Sequence, residues 1–222
     1  PDIYNELNLY SDKDAARRGG NLITESSPSY LNGKVYVAAG SGYVYGYNIA
    51  SGKIDWEYYV GSDLNGSPVV TEDGCLLVAV EKQFIAGNGG MLMLDPSKEP
   101  EDALVWYYPT GNKNLLTWNG GVIGSACIND KYREKGMQSL AAFSGIDGYL
   151  YVVDYKSIDG TTRSFDGRTV VDKPELIFQY KIGQSISTPI IFKDKLIAAG
   201  YGGIYLFEFD TDWNFTLLDK KP

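Results

Sequence analysis

The chain has 222 residues, 44% of them apolar and 22% charged, so it can bury a substantial core and is not a disordered tract. A net charge of −8 argues against a nucleic-acid partner, which calls for a basic face. There is no histidine, which removes Ser-His and Cys-His catalysis, ordinary zinc sites and histidine-ligated haem and leaves any chemistry to carboxylates, Tyr, Lys, Ser or a hard cation.

No apolar run approaches the roughly 20 residues of a membrane span. The opening Pro1-Asp2-Ile3 carries neither Met nor a secretory leader, so the chain reads as a mature or excised piece. Aromatic residues make up 14%, and 18 Tyr with 26 Gly lean the composition towards an all-β fold. Cys75 and Cys127 are too few for a disulfide scaffold; they read either as two thiols in strands or as a bridge between neighbouring units.

In chain order, residues 1–25 form a lead-in segment. Residues 11–18 predict a helical turn capped by Ser11 or Asp12, and residues 21–24 a strand. A first unit, 26–65, opens on Ser27-Pro28, with a strand at 29–31, an Asn32-Gly33 turn and a strand at 34–39. After a Gly turn comes a third strand at 42–48, then a turn at Ala50-Ser51-Gly52, then a fourth strand bearing Trp56. The second unit, 66–123, repeats this: Ser67-Pro68, a strand at 69–71, Asp73-Gly74, a strand at 75–80, a third at 90–95 and a fourth with Trp106. The third, 124–186, runs from Ser125-Ala126 through strands at 127–129, 138–143 and 148–155 to Phe178. The fourth, 187–222, runs from Thr188-Pro189 through 190–192, 195–199 and 203–210 to Phe215. Pro28, Pro68, Ala126 and Pro189 are 40, 58 and 63 residues apart, a basic period of forty with insertions in the second and third units.

Four-stranded units of about 40 residues with a large ring on the outer strand are the signature of β-propeller blades. One small twisted sheet has two apolar faces and cannot bury both alone. Stacking sheets around an axis buries each against the next, and Trp56, Trp106, Phe178 and Phe215 are expected to dock in the widening wedge between them.

The pattern Ser-Pro-x-x-x-x-Gly-x-Val-Tyr-Val, then Gly-x-Val-Tyr-x-x-(Asp/Asn)-x-x-(Ser/Thr)-Gly-Lys-x-x-Trp, resembles the pyrroloquinoline-quinone-like propeller repeat. Residues 27–60 follow it nearly throughout, with Asn48, Ser51-Gly52-Lys53 and Trp56; residues 67–106 follow it with Asp95 and Trp106. The later units match more loosely. The resemblance implies an all-β propeller of four-stranded antiparallel blades, about four of them present, as a partial ring or fragment of a seven- or eight-bladed one. It also implies a bacterial, periplasmic or secreted protein.

In such a ring, the links between units and the second-to-third-strand turns share the face around the channel mouth. Here these are 61–65, 111–124 and 183–185, and 40–41, 81–88, 144–147 and 200–202. Loops longer than a turn requires are often functional. They offer Asp63, Asn65, Glu81, Lys82, Gln83, Asn88, Trp118, Asn119, Asp147, Gln184 and Tyr201 as candidate ligand-binding residues. The plainer reading is that these loops are solvated or contact another domain. Trp118, beside Asn119 and two glycines, could stack on a sugar or a peptide ring, or could cap the core between the second and third units. The third insertion, 156–173, is expected to be a polar surface loop on the opposite face. Gly40-Ser41-Gly42 and Gly200 to Gly203 imitate dinucleotide fingerprints, but no helix follows to cradle a phosphate.

The same repeat serves dehydrogenases, assembly scaffolds and sensors. Quinoprotein members use a Trp floor, a calcium ion, a catalytic Asp and often an adjacent Cys pair; this chain lacks the pair and any recognisable cofactor block. The reading adopted is a non-catalytic binding or scaffold propeller, without cofactor or resident metal. It would engage a protein, peptide or glycan through the loop face, with further blades or another chain as neighbours. The alternatives are an accessory or sensor module of a larger secreted or membrane-anchored enzyme, and an enzyme fragment using pyrroloquinoline quinone with calcium or carboxylates such as Glu81 or Asp147.

Overall fold

A computed structural model describes residues 23–222. The helical turn expected over 11–18 and the first half of the strand expected at 21–24 lie outside the described residues. Among the described residues, sixteen strands form four antiparallel sheets, each of four strands consecutive in sequence. The first holds β1 (Ser29–Leu31), β2 (Lys34–Ala38), β3 (Tyr43–Asn48) and β4 (Lys53–Tyr59); the second β5 (Val69–Val70), β6 (Leu76–Val80), β7 (Gly90–Leu94) and β8 (Leu104–Pro109). The third holds β9 (Cys127–Ile128), β10 (Leu140–Ser144), β11 (Tyr149–Arg163) and β12 (Val170–Lys181); the fourth β13 (Ile190–Phe192), β14 (Lys195–Gly200), β15 (Gly203–Phe209) and β16 (Phe215–Lys221).

Local chemistry sets these meanders. Asn32 and Gly33 both take positive φ, the mirror-image turn whose twist matches the strands it joins. At each turn from third to fourth strand a carboxylate or amide accepts backbone N–H groups: Asn48 from Ala50 (3.0 Å) and Ser51 (3.2 Å), Asp95 from Ser97 (3.0 Å), Asp166 from Arg168 and Thr169 (both 2.8 Å), and Asp210 from Asp212 and Asn214 (both 2.9 Å).

The sheets then stack face to face. In β6, Leu76, Val78 and Val80 point into a core shared with Tyr36, Val44 and Trp56 of the first sheet, while Leu77 and Ala79 point into one shared with Phe143, Tyr151 and Val153 of the third. Such a strand is buried on both sides and reads as an unbroken apolar run. A third core joins Ala142 and Val152 to Leu196, Tyr205 and Phe207 of the fourth sheet.

Two devices recur at every junction. At the inner strands, the N–H of Ser27 donates to Ser67 Oγ (2.8 Å), that of Ser67 to Ser125 Oγ (2.9 Å), and that of Ser125 to Thr188 Oγ1 (2.8 Å). The hydroxyl residue that opens each unit is therefore a tie to the unit before it. At the outer strands, Trp56 and Trp106 are only 6% and 0% exposed, and each indole reaches the following sheet: Trp56 Nε1 donates to Lys98 O (3.0 Å) and Trp106 Nε1 to Tyr155 O (2.9 Å). Phe178 stacks on Phe215 at 4.3 Å.

The register corrects the role expected of Phe215. Each third–fourth strand ladder slips by one residue, after Gly46, Met93, Val152 and Leu206, and the partners at the slip are Trp56, Trp106, Phe178 and Asp219. Asp219 holds the docking position of the fourth sheet. Phe215 faces backwards and receives Phe178.

The insertion at 156–173 is not a loop. It extends β11 and β12 into a long hairpin, bent by three register shifts. Its tip folds over the outer strands of the first two sheets. Phe165 meets Tyr58 and Tyr107 edge-on at 6.4 and 5.8 Å, and the Gly87 N–H donates to Phe165 O at 2.8 Å. Both cysteines are free thiols; Cys75 is buried, and Cys127 Sγ accepts the Ile191 N–H at 3.1 Å, so no bridge joins neighbouring units.

Burial, with a smaller effect from Asp166, pushes the Tyr58 hydroxyl up to about 12; burial, then Asp147, does the same for Tyr108, and burial alone raises Tyr107 well above its ordinary value. A folded pKa above the unfolded value of about 10 means stability that is complete below pH 10 and lost as pH rises towards 12. Titration followed at 295 nm should show these tyrosines ionising only together with loss of the far-ultraviolet β signal. Their complete ionisation with the fold intact would contradict the burial.

Candidate functional site

Links and turns interlock on one face. The Val60 N–H donates to Gly42 O (2.8 Å), Lys82 to Gly120 O (2.9 Å), Ile146 to Gly121 O (3.0 Å), Ser185 to Gly145 O (3.3 Å) and Tyr201 to Gln184 O (2.9 Å). The candidate residues on this face fall into two groups, those that hold loops together and those that line open space.

Most of the polar candidates hold loops. Glu81 is buried, with Oε2 accepting from Asn65 Nδ2 at 2.9 Å, its carbonyl accepting from Ser62 Oγ, and its N–H reaching Asp63 O at 3.4 Å. Lys82 Nζ curls onto the carbonyl oxygens of Ile85 (2.9 Å), Ala86 (3.2 Å) and Gly87. Asn88 donates to Thr110 O (3.1 Å) and accepts from Asn112 Nδ2 (2.8 Å). Asp147 accepts the N–H groups of Gly111 (2.7 Å) and Tyr149 (3.2 Å) and the Tyr151 hydroxyl, whose pKa is raised by burial and then by that bond. The Glu81 carboxylate braces the link that follows β4, and that of Asp147 the link that follows β8. Gln83 and Asn119 make no hydrogen bond among the described residues. Nor, among those residues, do three or more Cys, Asp or Glu side chains converge as a metal site would require.

Trp118, Gln184 and Tyr201 are brought together. A tight turn closes between Leu115 and Trp118, whose backbones exchange two 2.9 Å bonds. Gln184 Nε2 donates to Asn114 O at 2.8 Å and pins this turn against the entry to the fourth sheet. Between them lies a cavity of about 340 Å³, lined by Leu115, Leu116 and Trp118, by Gln184, Ser185, Ile186 and Ser187, and by Ala199, Gly200 and Tyr201. No charged side chain lines it. Trp118 belongs to none of the buried clusters, so it does not cap the core between the second and third sheets. Leu116 is 82% exposed and has φ +53°, a left-handed conformation uncommon for a branched side chain. Tyr201 and Ile186 are exposed beside it.

Leu115, Leu116 and Ile186 were missed by sequence reasoning, which searched the links for polar groups. The signal was present: two leucines and a Trp in a link with no strand to supply. A second depression, of about 610 Å³ at the other end of the third and fourth sheets, is lined by turn residues of mixed charge, Glu134, Lys193, Asp194 and Asp210 among them.

No protein-family profile and no curated protein matches the sequence. Among solved structures, the chain is similar to BamB from Moraxella catarrhalis, at 16% identity over 89% of this chain and 62% of that one, with a TM-score of 0.40. It is also similar to the Cps50 (Swd1) β-propeller domain of Myceliophteria thermophila, at 16% identity over 88% of this chain and 58% of that one, with a TM-score of 0.52. The fold is a β-propeller. Four of its blades are described here, and the chain spans about three-fifths of the length of these two structures. Among the described residues no helix is long and apolar enough to cross a membrane.

Proposed function

We propose that this propeller is a non-catalytic binding or scaffold module that engages its partner through the loop face at the cavity beside Trp118. The observation that carries the reading is the contrast within that face. The carboxylates of Glu81 and Asp147 and the amides of Asn65 and Asn88 are engaged in bracing loops, whereas Leu116, Trp118, Ile186 and Tyr201 present uncharged surface around a concave site. Exposed apolar residues grouped around a cavity mark recognition sites. A peptide or protein segment with an apolar or aromatic side chain fits this lining best. A glycan would find the Trp118 ring but only Gln184, Ser185 and Ser187 to meet its hydroxyls. This reading calls for no cofactor. The motif match of residues 27–60 and 67–106 supports placement among pyrroloquinoline-quinone-like repeats and, with it, a periplasmic or secreted setting.

Peptide and glycan arrays probed with the chain should show peptide signals that fall at least about tenfold in Trp118→Ala or Leu116→Asp, equivalent to roughly 1.4 kcal/mol, while unfolding is little changed. Glycan signals alone, or peptide signals indifferent to both substitutions, would refute the cavity as the site. Saturable quenching of Trp fluorescence by pyrroloquinoline quinone with calcium would favour the enzyme reading instead.

A further inference from the structure

Each junction between sheets is built from the same parts, and the fourth sheet carries an unmated set. At the inner edge, the N–H groups of Ser27, Ser67 and Ser125 each find the hydroxyl of the next sheet. The equivalent N–H of Thr188 finds no acceptor among the described residues. Across the sheet, the row facing the next blade is Val69–Leu77–Met93–Trp106 in the second sheet and Cys127–Ala142–Val152–Phe178 in the third. Register places Ile190–Ile197–Leu206–Asp219 in the same row of the fourth. Leu77 and Ala142 are 0% exposed, whereas Ile190 is 56% and Ile197 40% exposed; Phe192 and Ile204, flanking them on that face, are exposed too.

We propose that the outward face of the fourth sheet seats a further four-stranded sheet of this same repeat, which opens on a hydroxyl residue that accepts the Thr188 N–H. The occupant is a sheet and not a small ligand because what lies open is a whole cross-strand row plus one backbone donor, the parts used at three established junctions. A second copy of this chain docking by its first sheet is disfavoured, because part of the outward face of that sheet is already buried: Ala39 and Tyr45 cluster there with Tyr43 and Ile54. The likeness to the Swd1 propeller domain occupies 58% of that domain, so two-fifths of its ring has no counterpart among these four sheets. The outer part of the new junction differs from the others. Asp219, paired with Lys221 at 3.0 Å, stands where Trp56, Trp106 and Phe178 stand, so the incoming rim offers a hydrogen-bond donor or a cation there instead of a surface for a ring.

Hydrogen exchange read by mass spectrometry tests this on the 222-residue chain alone and on the same chain in the polypeptide or complex isolated from its source. In the chain alone, segments carrying Ser67 and Ser125 should be protected and the segment around Thr188 should exchange freely. In the source material that segment should slow by about tenfold or more. Ile197→Asp should remove the added protection in the source material and leave the isolated chain unchanged. Equal exchange around Thr188 in both, or tolerance of Ile197→Asp in both, overturns the proposal. Protection in the isolated chain that rises with concentration alongside a doubled mass overturns it in favour of a second copy.

Discussion

Trp106→Ala should lower the free energy of unfolding by about 3–5 kcal/mol, the range for deleting a fully buried large ring. Three losses combine. The ring is wholly buried in the core between the second and third sheets, among Met91, Phe143 and Tyr155. Its removal leaves a cavity between two sheets tied in their own ladders, which limits collapse. It also leaves Tyr155 O, buried within that interface, without its indole donor. Trp106→Phe restores most of the volume and not the hydrogen bond, so it should fall between. Trp118→Ala, at a partly exposed ring outside every buried cluster, should cost well under half as much. Urea unfolding of the four proteins checks the order. A Trp106→Ala midpoint no lower than that of Trp118→Ala would mean the ring does not hold the second and third sheets together.

Gly121→Ala should cost about 2–4 kcal/mol, from a left-handed backbone forced on a residue with a Cβ and from crowding of a closed seam. Gly121 has φ +88°, and a Cβ there would lie 2.7 Å from the Lys82 nitrogen and closer still to Val80 O. The seam is the anchor of the link after β8. Gly121 O accepts the Ile146 N–H, Val122 donates to Val80 O at 3.1 Å, and Gly121 pairs with Glu81. The substitution should therefore also weaken binding at the cavity, because the turn carrying Leu116 and Trp118 hangs from that link. Gly136→Ala is the matched comparison: φ is +92° and nothing lies within 4 Å of the added carbon, so only the backbone preference is lost. Thermal unfolding should show Gly121→Ala several degrees below Gly136→Ala. Equal midpoints would show that the seam yields without cost.

The repeat was legible because its parts are local. Ser27-Pro28, Asn32-Gly33 and Ser51-Gly52-Lys53 each set their own turn or strand start, and Trp56 and Trp106 recur at one place in the pattern. What those residues touch was not legible. The hydroxyls of Ser67, Ser125 and Thr188 look like strand-start residues, and only three dimensions show each accepting from the sheet before it. Phe215 was assigned the docking role by counting aromatics along the chain, but a one-residue slip in the ladder hands that position to Asp219. The hairpin at 156–173 is polar because only Phe165 and Val171 pack against the core of the first two sheets; its strands are held by pairing, which composition does not display. At the loop face, Trp118, Gln184 and Tyr201 were named from loop position alone. Their meeting depends on Gln184 reaching Asn114, a contact seventy residues apart that no spacing rule supplies.

The account rests on the outer indoles of the first two sheets being locked into the following sheet. Proton exchange of the four indole N–H groups, followed by nuclear magnetic resonance on uniformly ¹⁵N-labelled protein and assigned with Trp→Phe variants, tests it most directly. Trp56 and Trp106 should exchange at rates set by unfolding of the sheets they join, while Trp118 exchanges quickly. Rapid exchange at Trp56 and Trp106 in the folded protein would contradict the packing of successive sheets from which the candidate site and the open fourth face are both derived.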